Sequence, residues 1–186
     1  MNINRENKMK KPRIITEAER YFDDEDVVAD NKNEVTINGL TWMTENLDDV
    51  RSVPLIEDKN EWVKAGKEGK PACCYYNNQR GKGVLYNWFA LKHLEKGGWR
   101  VPTNKDWDTL PKGRIELDNL GWNPQYDGYR GNFGYFDNVG KDGSWWSATE
   151  DDALDAWGRD LNRYHEYLSR FSRDKRLGLS VRLVRG

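Results

Sequence analysis

The C-terminal segment from Ala156 to Gly186 alternates between two kinds of position, and this pattern constrains the fold most. In its first part the bulky residues Trp157, Arg159 and Leu161 alternate with small or polar residues. A period of two is that of a β-strand with one packed face. The segment therefore predicts a strand with one face in the core and a second face that is free to vary.

The alternation resumes after a polar turn at RYHE. Leu168 and Arg170 fall on one side, whereas Tyr167, Ser169 and Phe171 fall on the other. A second turn at DKRLG then leads into the closing run LSVRLVR. Short alternating runs joined by turns predict a C-terminal three-stranded antiparallel meander that ends in this closing strand.

Aromatic side chains supply most of the material for a core. The chain has nine Trp and nine Tyr among 186 residues, yet its mean hydropathy is only −0.99. Each large ring buries about 150 to 250 Å², so that few aliphatic residues are needed. Most of the tryptophans, Trp157 included, are therefore predicted to be core residues. Tyr164, Tyr167 and Phe171 are the exceptions, because their positions predict exposure on a contact surface.

The chain divides at Glu34. Residues 1–33 are highly charged, include the acidic run FDDEDVVAD and show no hydrophobic periodicity, which predicts a charged N-terminal arm. A single domain is predicted over residues 34–186, starting with two short strands joined by a turn at Asn38-Gly39.

The middle of the domain predicts two helices. The run VLYNWFALKHL has apolar residues at helical spacing, and a second helix is predicted after Thr103, with Asp106 completing a capping box. Residues 52–71 and 119–143 are rich in turn-forming residues and predict long irregular loops. The fold class is therefore α+β, with two helices packed on antiparallel sheets.

Charge and composition disfavour several classes of function. A net charge of −1 gives no general attraction to nucleic acid, and no apolar run approaches the roughly 20 residues of a membrane span. The basic N-terminus is not followed by the apolar core of a signal peptide. Cys73 and Cys74 are adjacent and are not expected to form a relaxed disulfide with each other.

Five segments, in order along the chain, carry a resemblance to a known family. They are TINGLTWMTENL, YYNNQRGKGVLYNWFAL, GGWRVPTNKDWDTL, GSWWSATE and SVRLVRG. Together they resemble the Fibrobacter succinogenes major paralogous domain over about Val35 to Gly186. That resemblance implies the C-type lectin and formylglycine-generating-enzyme-like fold.

The final stretch is similar to the variable proteins of diversity-generating retroelements. This resemblance implies a variable region at about residues 151–177. In those proteins adenine-directed mutagenesis rewrites the C-terminal repeat within a fixed frame, here AWxRxL, LxR, K and GLSVRLVR. An asparagine codon randomised at its adenines never yields Lys, Glu, Gln, Trp or Met. The candidate ligand-binding positions that obey this rule are Gly158, Asp160, Asn162, Tyr164, His165, Tyr167, Ser169, Phe171, Ser172, Arg173, Asp174, Arg176 and Leu177.

The resemblance implies recognition without catalysis. The rigid sheet face and its turns would bind a protein or glycan on another cell surface, without a cofactor or metal and without nucleic acid or membrane insertion. The absence of a signal peptide suits a virion protein better than a classically secreted adhesin, so we expect location on a virion or a cell surface. Taken alone, the alternation also fits a solvated strand face that binds nothing.

Two other functions stay open at this stage. One is a structural or adhesive module of a surface or fibre, without a diversified site. The other is an oxidase related to the formylglycine-generating enzyme, for which only Cys73 and Cys74 could supply thiol or copper chemistry. His93 and His165 are far apart in sequence, and the acidic clusters at residues 45–49 and 150–152 lack calcium-loop spacing.

Overall fold

The computed structural model describes residues 33–164 and 167–186. Within them the chain forms a mixed α+β fold with more sheet than helix. The strands are β1 (Glu34–Ile37), β2 (Leu40–Met43), β3 (Cys73–Tyr75), β4 (Val84–Tyr86), β5 (Tyr129–Arg130), β6 (Phe136–Asp137), β7 (Asp142–Glu150), β8 (Asp155–Asn162), β9 (Leu168–Asp174) and β10 (Val184–Arg185). The helices are α1 (Lys59–Lys67), α2 (Asn104–Trp107) and α3 (Arg114–Asn119), with 3₁₀ turns at Tyr76–Asn78 and Trp88–His93.

The strands form four small sheets, and all ladders within them are antiparallel. Their orders are β1-β2-β10, β3-β4, β5-β6 and β7-β8-β9. The predicted hairpin at Asn38-Gly39 is confirmed, and both turn residues have positive φ, at 48° and 84°. Asn and Gly are the residues that tolerate this conformation in a two-residue hairpin.

Prediction of the helices was partly wrong. Val84, Leu85 and Tyr86 lie in strand β4 and are buried, and only Trp88–His93 turns helically, as a 3₁₀ segment. A short apolar run fits a buried strand as well as a helix, so spacing alone could not decide between them. Helix α1 lies inside the predicted loop at 52–71, and α3 was not predicted. The second predicted helix is confirmed as α2, with Thr103 and Asp106 forming the capping box.

The C-terminal meander is also corrected. A three-stranded sheet is present, but it consists of β7, β8 and β9, and the closing run is not its third strand. Instead, Val184 pairs with Trp42 of β2. Earlier in the closing run, Leu179 bridges to Tyr86 and Ser180 bridges to Trp145 in parallel orientation. The closing run therefore joins separate sheets.

The core is rich in tryptophan, as the composition predicts. Trp42, Trp107, Trp122 and Trp145 are fully buried and contact one another with ring centroids 5.1 to 6.4 Å apart. Tilted and edge-on arrangements of this kind are the favoured geometries of aromatic pairs. Trp157 does not join this cluster. It is half-buried, and the guanidinium of Arg170 lies 4.7 Å from its ring centre, so its predicted place in the core is wrong.

Candidate functional site

Strands β8 and β9 bring most of the predicted site residues onto one face of a sheet. Phe171 lies opposite Gly158, and Ser169 lies opposite Asp160. Residues opposite each other in a ladder share a face, and so do alternate residues along a strand. This surface, called the candidate face below, consists of Gly158, Asp160, Asn162, Ser169, Phe171 and Arg173. Tyr167 precedes β9, bridges to Gly113, and lines a separate concave space with Lys112 and Glu116.

Exposure rises across the candidate face from β8 to β9. The side chain of Phe171 is 43% exposed, and that of Tyr167, just before β9, is 70% exposed, whereas Asp160, Asn162 and Ser169 are half-buried. Tyr164 lies in the turn after β8 and is also largely exposed. The β9 half of the face is therefore open to a large partner, and the β8 half is more recessed.

Gly158 does not project from an open surface, which corrects its predicted position. It is buried, and a Cβ at this position would lie 3.1 Å from the carbonyl oxygen of Trp145 and 3.5 Å from Leu179 Cδ1. The closing run covers this part of the sheet, because Leu179 belongs to it. A side chain at position 158 would therefore pack beneath the neighbouring residues of the candidate face. It would change the shape of the face and would not contact a ligand directly.

Ser172 is the second correction. It lies opposite Trp157, so its side chain is on the other face of the sheet, and its hydroxyl donates to Asp151 Oδ2 at 2.6 Å. Asp174 ends β9, and the turn that follows it contains Arg176 and Leu177. Asp174 accepts hydrogen bonds from Arg176 Nε, at 2.8 Å, and from Asn132 Nδ2, at 3.0 Å. His165 lies outside the described residues.

An ion pair spans the recessed part of the candidate face. Arg173 of β9 donates to Asp160 of β8, and the same guanidinium lies 4.8 Å from the ring centre of Phe171. Burial raises the pKa of the Asp160 carboxyl above its usual value, and the charge of Arg173 opposes this rise. The pair therefore fixes Arg173 across the sheet and beside the exposed Phe171 ring.

A concave space of about 410 Å³ lies beside this ion pair. The predicted residues Asp160, Arg173 and Leu177 line this space together with Tyr129, Asp142 and Leu179. Asp142 is held in place by the side-chain amides of Asn138, at 2.6 Å, and Asn162, at 2.5 Å. Sequence reasoning missed Tyr129, Asn138 and Asp142, because they lie in a Gly-rich and Asn-rich stretch that carries no strand or helix periodicity.

The residues between the candidate positions have structural contacts. Arg159 is buried and donates to Asn104 Oδ1 at 2.9 Å and to Asp108 Oδ1 at 3.1 Å. Lys175 is buried and donates to Glu150 Oε1 at 2.8 Å and to the carbonyl of Asp152 at 2.6 Å. Buried cations need such partners, since an unpaired charge in the interior is costly.

Arg182 is the most enclosed of these cations. Its guanidinium lies 3.9 Å from the ring centre of Trp122, and Nη2 donates to Asn46 Oδ1 and to the carbonyl of Asn123, both at 3.1 Å. Burial lowers the pKa of Arg182, and the charge of Asp127 opposes this shift. Arg159, Lys175 and Arg182 all belong to the fixed frame that the sequence resemblance defines.

Both cysteines lie in the interior, on β3. Burial raises the pKa of Cys73 to about 12 and that of Cys74 to about 11, although Arg130 acts against the rise at Cys74. Thiols with such values are protonated at neutral pH and are poor nucleophiles. His93 is exposed at the end of its 3₁₀ turn. Among the described residues, no cluster of three or more His, Cys, Asp or Glu side chains could hold a metal ion.

The fold and the site define a mixed α+β domain that carries a half-open sheet face above a rigid, tryptophan-rich core. Residues 35–122 match the family model described as the Fibrobacter succinogenes major domain, which supports the resemblance to that family. The matched segment ends before β7, so it does not include the candidate face. No curated protein and no solved structure matches the chain. In the part of the chain that the structure describes, no helix has the length and apolar character to cross a membrane.

Proposed function

We propose that this protein is a non-enzymatic, C-type-lectin-like ligand-binding protein whose C-terminal sheet face and turns are diversified by retroelement adenine mutagenesis. One observation carries the proposal. The positions that obey the adenine rule gather mainly on the candidate face and its turns, while most of the frame residues between them, Arg159, Leu161, Leu168 and Lys175, are buried and Arg170 is exposed. A fixed interior beneath a replaceable surface is what such diversification requires.

The chemistry of the candidate face suits recognition. Phe171 on the face and Tyr167 just before β9 offer large exposed rings with few rotatable bonds, and Arg173 is held between Phe171 and Asp160. Aromatic and arginine side chains dominate the binding energy of interfaces, and small polar residues such as Ser169 adapt around them. Because β8 and β9 hold the backbone in a ladder, little backbone entropy is lost when a ligand binds.

We place the ligand on another cell surface, as a protein or a glycan, and this protein on a virion or cell surface. The recessed positions and the exposed ones then have different roles. Changes at Asp160 reshape the 410 Å³ space, whereas changes at Tyr164, Tyr167 and Phe171 alter the contact area directly. Diversification at both depths would change the shape and the chemistry of the site together.

The two alternative functions have less support. An oxidase of the formylglycine-generating type would need a reactive cysteine, and burial keeps Cys73 and Cys74 as thiols. A structural or adhesive module without a diversified site would not need exposed rings at the positions that the adenine rule permits. Tyr164, Tyr167 and Phe171 occupy such positions and are exposed, although Phe133 and Tyr135 are exposed outside them.

The test of diversification is the DNA sequence that flanks the gene. We expect a near-copy of the segment that encodes Trp157 to Gly178, close to a reverse transcriptase gene. The two copies should differ almost only where the near-copy carries adenine. If no such copy is present, or if the differences are spread over all four bases, the diversification proposal fails.

The test of binding uses arrays of glycans and of bacterial surface proteins, probed with the purified chain. We expect Tyr167→Ala combined with Phe171→Ala to abolish the signals that the unaltered chain gives, because the exposed rings supply most of the contact. The matched control replaces two other exposed hydrophobic residues, Leu55 and Leu120, with Ala and should keep the signals. Equal signals from both double variants would refute the candidate face as the binding site.

A further inference from the structure

Strand β9 is an edge of its sheet, because the order is β7-β8-β9. One side of β9 pairs with β8. Its other side presents main-chain groups to solvent over Arg170, Phe171 and Ser172, which are consecutive exposed residues. Edge strands of this kind are templates on which another chain can add a strand.

Two hydrogen bonds reveal which amides point outward. Lys175 N donates to the carbonyl of Leu154, so the odd-numbered residues of β9 face β8. Leu168 N donates to the carbonyl of Lys112, on the opposite side, so the even-numbered residues face the open edge. The N–H and C=O groups of Arg170 and Ser172 therefore point outward, and within residues 33–164 and 167–186 they have no hydrogen-bond partner.

The open edge has defined limits. The contact of Lys112 with Leu168 closes one end, and the turn at Asp174, whose carbonyl accepts from Leu177 N, closes the other. The interval Ser169–Asp174 holds six residues, which at about 3.3 Å per residue spans roughly 20 Å. That length accommodates an extended segment of five or six residues.

We propose that the ligand is a protein, and that an extended segment of it binds as an added strand along the open edge of β9. This inference rests on the proposed ligand-binding function and names the chemistry of the partner. Regularly spaced outward N–H and C=O groups are complementary to a peptide backbone and not to a sugar ring. Strand addition also brings the partner's side chains beside Ser169, Phe171 and Arg173 of the candidate face.

Charge specifies one feature of the added strand. Arg170 is exposed above the ring of Trp157 and takes part in no ion pair among the described residues. Arg173, in contrast, is already paired with Asp160. A carboxylate directly opposite Arg170 would therefore gain a cross-strand partner, since opposite charges at such positions are favourable.

Strand addition explains how a diversified site could keep its affinity. Replacing the side chains of Ser169, Phe171 or Arg173 leaves the outward main-chain groups of Arg170 and Ser172 unchanged. The backbone ladder would supply a constant part of the binding energy, and the side chains on the candidate face would select among partner sequences.

The probe is an acetylated, amidated hexapeptide, Thr-Glu-Thr-Val-Glu-Thr, which places its second glutamate opposite Arg170 in an antiparallel ladder. Titration into the isotope-labelled chain should give saturable amide shifts and slower hydrogen exchange at Arg170 and Ser172. The matched peptide carries N-methyl groups on its third and fifth residues, which face β9, and should not bind because both donors are blocked. In the unmethylated hexapeptide, replacing both glutamates with lysine should weaken binding.

A pair of protein variants tests the same point from the other side. Ser172→Pro removes an outward N–H, whereas Ser172→Ala removes the same hydroxyl and keeps the N–H. An edge strand tolerates proline where its N–H faces solvent. We expect Ser172→Pro to weaken peptide binding by about tenfold and Ser172→Ala by less than about twofold. If Ser172→Pro does not fold, the N-methylated peptide still tests the inference on the unaltered chain.

Three outcomes would overturn the inference. The first is the absence of saturable shifts at about 10 mM peptide, a concentration above any useful dissociation constant for strand addition. The second is equal binding of the unmodified and the N-methylated peptides. The third is a dimer in sedimentation experiments that Ser172→Pro abolishes, while no peptide binds. The dimer would assign the edge to a second copy of this chain. The proposed function fails separately, since it depends on the array signals and their loss in the Tyr167 and Phe171 variant.

Discussion

At the scale of single residues, the interior combines cations with indole rings. Arg130 lies 4.6 Å from the ring centre of Trp62, Arg182 lies 3.9 Å from that of Trp122, and Lys175 lies 4.8 Å from that of Trp88. A charge over an aromatic face is stabilised by the ring quadrupole, which partly offsets the loss of hydration. The chain can therefore build a core despite its low hydropathy.

Replacement of Arg182 tests the importance of these buried cations. Arg182→Met should lower the free energy of unfolding by about 3 to 5 kcal/mol, because the carbonyls of Trp122 and Asn123 lose the guanidinium donor in the interior. The matched control is Arg170→Met, which removes an exposed cation from the ring of Trp157 and should cost less than about 1 kcal/mol. Urea denaturation of both variants gives the comparison, and equal losses would contradict it.

At the scale of elements, the short helix α2 depends on its capping box. Asp106 accepts from the backbone N–H of Thr103 at 2.8 Å and from Arg100 at 2.6 Å. Burial acts to raise the pKa of Asp106, but the hydrogen bonds from Arg100 and Thr103 outweigh it and lower the pKa to about 2. The folded chain therefore stabilises the ionised carboxylate of Asp106 relative to the unfolded chain.

This shift predicts an acid-sensitive contribution to stability. Because the folded pKa lies below the ordinary value of 3.8, the contribution is present above about pH 4 and is lost as the pH falls toward 2. Asp106→Asn should cost about 1 to 2 kcal/mol at pH 7, and the difference from the unaltered chain should vanish near pH 2. Asp118→Asn, which breaks the exposed pair with Arg114, should cost less than about 0.5 kcal/mol at both pH values. A pH-independent loss at Asp106 would contradict the assignment.

Local signals in the sequence determined which elements could be predicted. The turn at Asn38-Gly39 and the capping box at Thr103 depend on particular residues, so both were found. The β8–β9 hairpin was found because large residues, including the buried Arg159 and Leu161, alternate with small or polar ones along β8. Helix α1 was missed, since its sequence is largely polar and its start depends on the single cap Asp58. The pairing of β10 with β2 joins residues more than 140 positions apart, and no local pattern contains that information.

The candidate site, like the fold, could be predicted from the sequence only where local patterns determine it. Its strand positions followed from the alternation, and the register brings Asp160, Ser169 and Phe171 onto one face. The depth of each position could not be predicted, because burial of Gly158 depends on Leu179 crossing the sheet from the closing run. The wall at Tyr129 and Asp142 was missed for the same reason: only tertiary contacts bring it there.

At the scale of the whole molecule, the closing run connects the separate sheets. Gly178 N donates to the carbonyl of Arg130 in β5, Leu179 N to that of Tyr86 in β4, and Ser180 N to that of Ser144 in β7. Further along, the carbonyls of Val181 and Leu183 accept from Leu47 and Met43. Each sheet is small, and the closing run supplies main-chain bonds between them.

Truncation after Gly178 should therefore abolish cooperative folding, because it removes the main-chain bonds made from Leu179 onward together with the buried Val181, Arg182 and Val184. Removal of Gly186 alone should leave the melting temperature nearly unchanged. Near-ultraviolet circular dichroism during heating reports the packing of the tryptophans in both chains. A sharp transition in the chain that ends at Gly178 would show that the sheets associate without the closing run.

The hairpin of β8 and β9 offers a test of whether one face can vary while the other cannot. Tyr164→Ser, Tyr167→Ser, Ser169→Tyr and Phe171→Ser, made together, change only exposed or half-buried positions and use only residues that adenine mutagenesis permits. Because surface substitutions usually cost within about 0.5 kcal/mol each, the melting temperature should fall by less than about 5 °C.

The comparison variant alters the buried cross-strand pair Leu161 and Leu168 on the opposite face of the same hairpin. Leu161→Ser with Leu168→Ser removes two large side chains and leaves two hydroxyl groups in the interior, so a loss of more than about 4 kcal/mol is expected. Calorimetry of both variants decides the matter. If the four surface changes destabilise the chain as much as the leucine pair does, the candidate face is part of the structural core, and a surface rewritten between lineages could not occupy it.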